Sequence, residues 1–141
     1  MENHLLISQF DEDRWDNMEK VMVVDDDPDI IYSIKEGLYT DFEILSAESG
    51  MQCLQILQTV IPDIILLDIM MPNMSGWETF DRIRKNPSLR TVPIVFITAR
   101  TDKNAKNAGG FLGDDYIEKP FEINDLKVRI GKILNSKNTT D

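Results

Sequence analysis

Length, composition and charge exclude several classes of protein. The chain has 141 residues, a length typical of one domain, and no apolar run approaches the ~18 residues that a membrane span needs. Its formal net charge of −10 argues against direct binding to nucleic acid, because phosphate backbones are bound by clustered Lys and Arg. The first ten residues lack the basic flank and long apolar centre of a secretory signal, so we expect a cytoplasmic protein that does not contact the membrane.

The chain begins with an acidic stretch that has no sustained apolar period. This composition predicts a flexible or loosely docked extension over residues 1–18. Through residue 19 the stretch carries one Arg against six acids, which are Glu2, Asp11, Glu12, Asp13, Asp16 and Glu19.

Five short apolar runs follow and predict five β-strands, near 20–24, 42–46, 63–67, 93–97 and 115–117. Between them lie segments that have one apolar stripe at helical spacing. The stripes are Ile30, Ile31, Ile34 and Leu38; Met51, Leu54 and Leu57; Trp77, Phe80 and Ile83; and Ile123, Leu126, Ile130 and Ile133. Cys53, in the second of these segments, is interpreted as a small buried thiol without chemistry.

Residues at the predicted helix ends support these elements. Asp27 precedes Pro28, which is the order of a capping residue and a first helical proline, and Ser75 with Gly76 opens the third helix. The segment 101–110 is polar and ends in two glycines, so it predicts a short or marginal helix.

Strands that alternate with helices predict a parallel sheet with helices on both faces, in a five-stranded doubly wound α/β fold. The almost continuously apolar third and fourth strands agree with burial on both faces. We expect one domain over residues 19–136 and a polar tail at 137–141.

Ligands bind such sheets beyond the carboxyl ends of the strands, where the strand order reverses, and this rule selects a candidate site. Carboxylates that converge at one edge repel each other unless a cation lies among them, and hard oxygen ligands suit Mg²⁺. One carboxylate could then attack phosphorus while a lysine and a hydroxyl hold the phosphoryl oxygens. The residues that the rule selects are Asp25, Asp26, Asp27, Asp68, Thr98 and Lys119.

Four motifs carry a resemblance to a known family. They are VVDDDP at 23–28, PDIILLDIMMPNMSG at 62–76, VPIVFITAR at 92–100 and DDYIEKPF at 114–121. Together they resemble the receiver domain of response regulators. The resemblance implies a flavodoxin-like sheet with strand order 2-1-3-4-5, and a phosphoacceptor module of a two-component system. Such a module is not an enzyme in the usual sense, since it catalyses only its own phosphorylation and dephosphorylation.

By position, the resemblance implies a role for each acidic residue of the site. Asp68 matches the phosphoacceptor, which receives a phosphoryl group from a sensor histidine kinase or a phosphotransfer protein. Asp25 and Asp26 match ligands of Mg²⁺, together with Asp68 itself and the backbone carbonyl of Met70.

The resemblance also implies how the phosphoryl group is held and sensed. Lys119 and the N–H of Ala99 match groups that contact phosphoryl oxygens, and the Lys119–Pro120 bond is expected to be cis. Thr98 and Tyr116 match the residues that switch conformation. The face that meets a downstream protein would comprise the segment 101–110, the fifth strand and the last helix, in a monomer or a phosphorylation-dependent dimer.

Two other functions remain open at this stage. Asp25 and Asp27 have the D-x-D spacing of haloacid-dehalogenase-type phosphohydrolases, although such enzymes are usually longer and would leave Asp68 unused. The chain could also be a receiver-like interaction module that works without phosphorylation, which is expected when the acidic residues have been lost. Asp27 alone is best interpreted as a helix cap.

Overall fold

The computed structural model describes residues 18–99 and 114–139. Most of the predicted extension and the predicted helix at 101–110 lie outside these residues. No helix in the described part of the chain is long and apolar enough to cross a membrane.

Five parallel strands form one sheet in the order β2-β1-β3-β4-β5, which confirms the predicted fold. Val24 at the end of β1 lies opposite Ala47 and Leu67, so β1 is an interior strand between β2 and β3. The strand β2 lies on one side of β1, whereas β3, β4 and β5 lie on the other side. The strand order therefore reverses between β1 and β3, and this is the switch point of the sheet. The strands are β1 (Lys20–Val24), β2 (Glu43–Ala47), β3 (Ile64–Asp68), β4 (Ile94–Ala99) and β5 (Asp115–Lys119).

Four α-helices and one 3₁₀ turn connect the strands in the described residues. Asp27 accepts a hydrogen bond from the N–H of Asp29, and Ser75 accepts one from the N–H of Glu78, so both predicted caps are confirmed. The elements are α1 (Pro28–Leu38), α2 (Gly50–Ile56), α3 (Gly76–Arg84), the 3₁₀ turn Pro87–Leu89 and α4 (Ile123–Thr139).

The helices lie in two layers, one on each face of the sheet, because successive strand residues point to opposite faces. On one face α1 and α4 bury Ile34 and Ile130 against β1, β3 and β4. On the other face α2 and α3 bury Cys53 and Ile83 against the alternate residues of the same strands. Cys53 is fully buried, as expected, and its burial raises the pKa of the thiol to about 12.

The structure differs from the predicted elements mainly at their ends. Helix α4 continues to Thr139, into the stretch predicted as a tail after residue 136. The 3₁₀ turn at Pro87–Leu89 was not predicted, since three residues carry no periodic signal. Trp77, predicted as core, is only half-buried, and its ring lies 4.6 Å from the ring of Phe96.

Candidate functional site

The carboxyl ends of four neighbouring strands bring the candidate residues to one edge of the sheet. Asp25 follows β1 directly, and Asp68, Lys119 and Thr98 lie in the last two positions of their strands. Asp68 is opposite Ile97 in the register, so Thr98 lies one step further toward the same edge. The strands that position Asp25, Asp68 and Thr98 are almost entirely buried, whereas β5, which carries Lys119, buries only Ile117 fully.

Three carboxylates meet at this edge. Asp25, Asp26 and Asp68 each offer one oxygen atom, and these three atoms lie within 4.8 Å of one another. Asp25 is fully buried and Asp68 is 3% exposed, whereas Asp26 is exposed. Asp26 and Asp68 therefore face a common point, which was the geometric condition for the predicted metal site.

Lys119 connects the two buried carboxylates. Its Nζ lies 2.8 Å from Oδ2 of Asp25 and 3.6 Å from Oδ1 of Asp68. Burial alone would lower the pKa of Lys119, but its close contact with Asp25 and the charge of Asp68 outweigh burial and raise that pKa. The lysine stays protonated and supplies one positive charge to two buried acids.

The charge of the site is consequently unbalanced. Burial, and after it the negative charge of Asp25, raise the pKa of Asp68 to about 7. The ammonium of Lys119 and a 3.3 Å hydrogen bond from the N–H of Met70 act in the opposite direction but do not cancel these effects. A proton or an added cation is needed to neutralise the acids near neutral pH.

These residues fit a hard divalent cation. Oδ2 of Asp25 is buried, and apart from its 2.8 Å ion pair with Lys119 it has no partner among the described residues, so this oxygen keeps unused acceptor capacity. Three carboxylate oxygens within 4.8 Å of each other form a donor set that suits Mg²⁺, with water completing the coordination. The cluster could therefore hold such an ion.

Asp27 has a different role from its two neighbours. Its Oδ1 accepts a 2.9 Å hydrogen bond from the N–H of Asp29 and caps α1, while its own N–H donates to Oδ1 of Asp25 at 2.9 Å. Asp27 thus orients Asp25 through its backbone and uses its carboxylate as a cap. Asp27 would be the second acid of a D-x-D phosphohydrolase, but its carboxylate is used here to cap α1.

Thr98, Ala99 and Tyr116 lie at the border of the described residues. The buried Thr98 hydroxyl donates a 3.2 Å hydrogen bond to the carbonyl of Ala99. Tyr116 is half-buried and packs against the core cluster that contains Phe96 and Trp77. The Lys119–Pro120 bond is cis, as predicted. The roles of Thr98, Ala99 and Tyr116 in phosphate contact and switching stay predictions.

Gly76 is a residue whose importance the sequence did not indicate beyond its place at a helix start. A Cβ atom at Gly76 would overlap the carbonyl oxygen of Asp68, and the N–H of Gly76 donates a 2.9 Å hydrogen bond to the carbonyl of Ile69. The first turn of α3 therefore packs directly on the backbone that carries the candidate phosphoacceptor. The loop between them turns at Asn73, which has a φ of 69°, a conformation that asparagine tolerates well.

A parallel five-stranded sheet with an acidic cluster at its switch point defines a doubly wound α/β protein with an edge that could hold a cation. The family model described as "Response regulator receiver domain" matches residues 21–131. This match covers most of the chain, and the chain therefore belongs to the response regulator receiver family. Members of this family are signalling modules of two-component systems, where they act with histidine kinases and effector domains.

Individual relatives agree with this assignment. The chain is 41% identical over 113 residues to the uncharacterized transcriptional regulatory protein YrkP of Bacillus subtilis. The matched region covers 79% of this chain and 47% of that protein. It is 38% identical over 122 residues to a Vibrio cholerae protein named "Probable cyclic di-GMP phosphodiesterase", covering 86% of this chain and 28% of that protein. The chain thus spans less than half the length of these two relatives.

A solved structure shows the same fold. The CheY-like response regulator receiver domain protein of Methanospirillum hungatei has a TM-score of 0.74 and is 39% identical in sequence. The likeness covers 83% of this chain and 94% of that one.

Proposed function

We propose that this chain is a phosphoacceptor module in which Asp68 receives a phosphoryl group from a phosphohistidine on a sensor histidine kinase or a phosphotransfer protein. The observation that carries the proposal is the convergence of Asp25, Asp26 and Asp68 within 4.8 Å at the edge where Lys119 pairs with two of them. A structural role such as helix capping explains Asp27 but not this convergence. Family membership supports the same reading.

Asp68 is the nucleophile of the proposed reaction. One of its carboxylate oxygens forms a bond to phosphorus while the bond from phosphorus to the donor imidazole nitrogen breaks, and that nitrogen keeps the electron pair. The carboxylate must be ionised, and its pKa of about 7 means that the metal-free site holds a proton for part of the time near neutral pH. Lys119, 3.6 Å from Asp68 Oδ1, would balance the charge on a phosphoryl oxygen.

Asp25, Asp26 and Asp68, together with the backbone carbonyl of Met70, would hold the Mg²⁺ ion. When bound, the ion supplies positive charge that offsets both the repulsion among the carboxylates and the charge on the phosphoryl oxygens. Asp25 remains oriented throughout by the N–H of Asp27.

The signal would arise at the end of β4. The Thr98 hydroxyl and the Ala99 N–H would contact the phosphoryl group, and Thr98 would give up its present hydrogen bond to the Ala99 carbonyl. Tyr116 would occupy the space that Thr98 leaves, which shifts an existing equilibrium and changes the face built from segment 101–110, β5 and α4. A downstream protein in the cytoplasm would bind that face, on a monomer or a phosphorylation-dependent dimer.

Phosphorylation by acetyl phosphate in the presence of Mg²⁺ tests the proposal. Intact-mass spectrometry should show a gain of one phosphoryl group, which hydroxylamine removes, in the wild-type protein. Asp68→Asn should abolish the gain because an amide cannot attack phosphorus, and EDTA should abolish it in the wild-type protein.

Asp27→Asn is the matched control, since it removes one charge at the same edge but keeps a good helix cap. It should be phosphorylated like the wild-type protein. A folded Asp68→Asn variant that still gains a hydroxylamine-labile phosphoryl group would contradict the assignment of Asp68. Loss of the gain in Asp25→Asn together with its persistence in Asp68→Asn would favour the phosphohydrolase mechanism instead.

A further inference from the structure

A groove lies at the amino-terminal edge of the sheet, opposite the acidic site. It has a volume of about 410 Å³ and is formed by the chain that precedes β3 and the chain that precedes β4. Leu57 and Leu89 are buried at this groove, and Ile61 is 57% exposed at it. The half-buried Val60 and the exposed Ile61 give the groove an apolar side that a further segment could cover.

The chain enters the sheet next to this groove. The backbone of Lys20 and Asp63 is paired in both directions, since the N–H of Lys20 donates to Asp63 Oδ2 at 2.7 Å and the N–H of Asp63 donates to the Lys20 carbonyl at 2.8 Å. Asp63 is only two residues from Ile61 in sequence. The described chain therefore begins beside the groove, and the five residue steps from Trp15 to Lys20 can span up to roughly 17 Å.

The charge around the groove complements the charge of residues 1–17. The stretch 82–90 is basic in a protein whose net charge is −10. Within it, Lys85 and Arg90 flank the groove residues Asn86 and Leu89 in sequence, and neither forms an ion pair with a residue of the described ranges. Residues 1–17 contain apolar side chains beside acids, namely Leu5, Leu6, Ile7, Phe10 and Trp15 with Asp11, Glu12, Asp13 and Asp16.

We propose that residues 5–16 dock into this groove of their own chain, with apolar side chains on Val60 and Ile61 and with acids facing Lys85 and Arg90. A short tether gives an effective concentration on the order of 1 mM, so a contact that is weak between separate molecules is still populated within one chain. The docked segment covers the edge remote from Asp68 and leaves the acidic site open.

Fluorescence of Trp15 tests the proposal in the full chain. Trp77→Phe leaves Trp15 as the single tryptophan, since the sequence contains two. Its emission should lie to the blue of that of a synthetic peptide of residues 1–17 and should be shielded from acrylamide. Ile61→Asp and Arg90→Glu, each added to Trp77→Phe, should shift the emission to that of the peptide and remove the shielding.

Two matched controls lie outside the groove. Val128→Asp places the same charge on an exposed apolar position of α4, and Lys35→Glu reverses an exposed charge on α1. Both should leave the emission of Trp15 unchanged, and all four variants should still be phosphorylated by acetyl phosphate. That last measurement separates failure of this inference from failure of the proposed function.

Three results would overturn the inference. The first is an emission of Trp15 equal to that of the free peptide. The second is shielding that neither Ile61→Asp nor Arg90→Glu removes, which would assign Trp15 to another surface. The third is shielding that disappears on dilution of the protein, which would make the groove of a second copy the binding site.

Discussion

Lys119 is the cation that pairs with both buried carboxylates of the site among the described residues. One ammonium cannot neutralise Asp25, Asp26 and Asp68 together, and Coulomb repulsion between buried charges is weakly screened. The imbalance appears as the raised pKa of Asp68. The same imbalance would favour a divalent cation, so the proposed binding of metal and the binding of a proton would have one origin.

The raised pKa of Asp68 predicts a pH-dependent stability for the metal-free protein. The pKa is near 3.8 in the unfolded chain and about 7 in the folded protein. Between these values the folded state binds more protons than the unfolded state, so the free energy of unfolding falls as pH rises. In EDTA, Asp68→Asn should raise the free energy of unfolding at about pH 8 by roughly 2–4 kcal/mol and change it little at about pH 4.

Urea unfolding at the two pH values measures this difference. Asp81→Asn, on an exposed position of α3, controls for the general effect of removing one negative charge from an acidic protein. An equal gain at both pH values in Asp68→Asn would show that the stabilisation does not come from the ionised carboxylate.

At the scale of elements, the contact between α3 and the end of β3 determines where Asp68 lies. Gly76 allows this contact because its Cα approaches the backbone of Asp68 and Ile69 with no space for a Cβ. Gly131, in α4, is the opposite case, since a Cβ there would meet no described atom within 4 Å. Both glycines lie in helices, but Gly76 is needed for a close backbone contact and Gly131 is not.

Gly76→Ala and Gly131→Ala should change stability in opposite directions. Gly76→Ala should lower the free energy of unfolding by roughly 1–3 kcal/mol because backbone must move to accommodate the methyl group. Gly131→Ala should raise it by about 0.5–1 kcal/mol because alanine has the higher helix propensity. Urea denaturation measures both, and a Gly76→Ala variant as stable as the wild type would contradict the packing argument.

At the scale of the whole molecule, the acidic edge is connected to the core through α3. Trp77 follows Gly76 directly, and its ring centroid lies 4.6 Å from that of Phe96. Phe96 is a residue of β4, two positions before Thr98. Phe96 also lies opposite Tyr116 in the register of β4 and β5. Asp68 is therefore linked through α3 and Phe96 to Tyr116 in β5, which belongs to the face proposed for partners.

Fluorescence of Trp77 should report this connection when Mg²⁺ is added. In a Trp15→Phe background, titration with MgCl₂ should produce a saturable change, because the ion reorganises the carboxylates beneath α3. Asp26→Asn should weaken the apparent affinity, while the exposed Asp81→Asn should not. Absence of any saturable response would support the alternative of an interaction module that works without phosphorylation.

Particular residues show how far the sequence alone predicts the structure. The alternation of apolar runs and helical stripes predicted five parallel strands, and the resemblance to receiver domains implied their order. The caps at Asp27 and Ser75 marked helix starts correctly. Element ends were less accurate, as the extension of α4 to Thr139 shows, because the last turn of a helix often lacks a periodic apolar residue. The half-burial of Trp77 depends on neighbours from β4 that are remote in sequence.

The sequence by itself determined which residues follow each strand, and so which side chains can share the carboxyl edge, since this depends only on strand direction and order. The tertiary structure alone decided that Lys119 pairs with both Asp25 and Asp68, and that Gly76 supports the backbone of Asp68. Those facts are distances of a few ångströms between residues of different strands and helices. Local patterns do not contain such distances, because they result from how whole strands and helices pack.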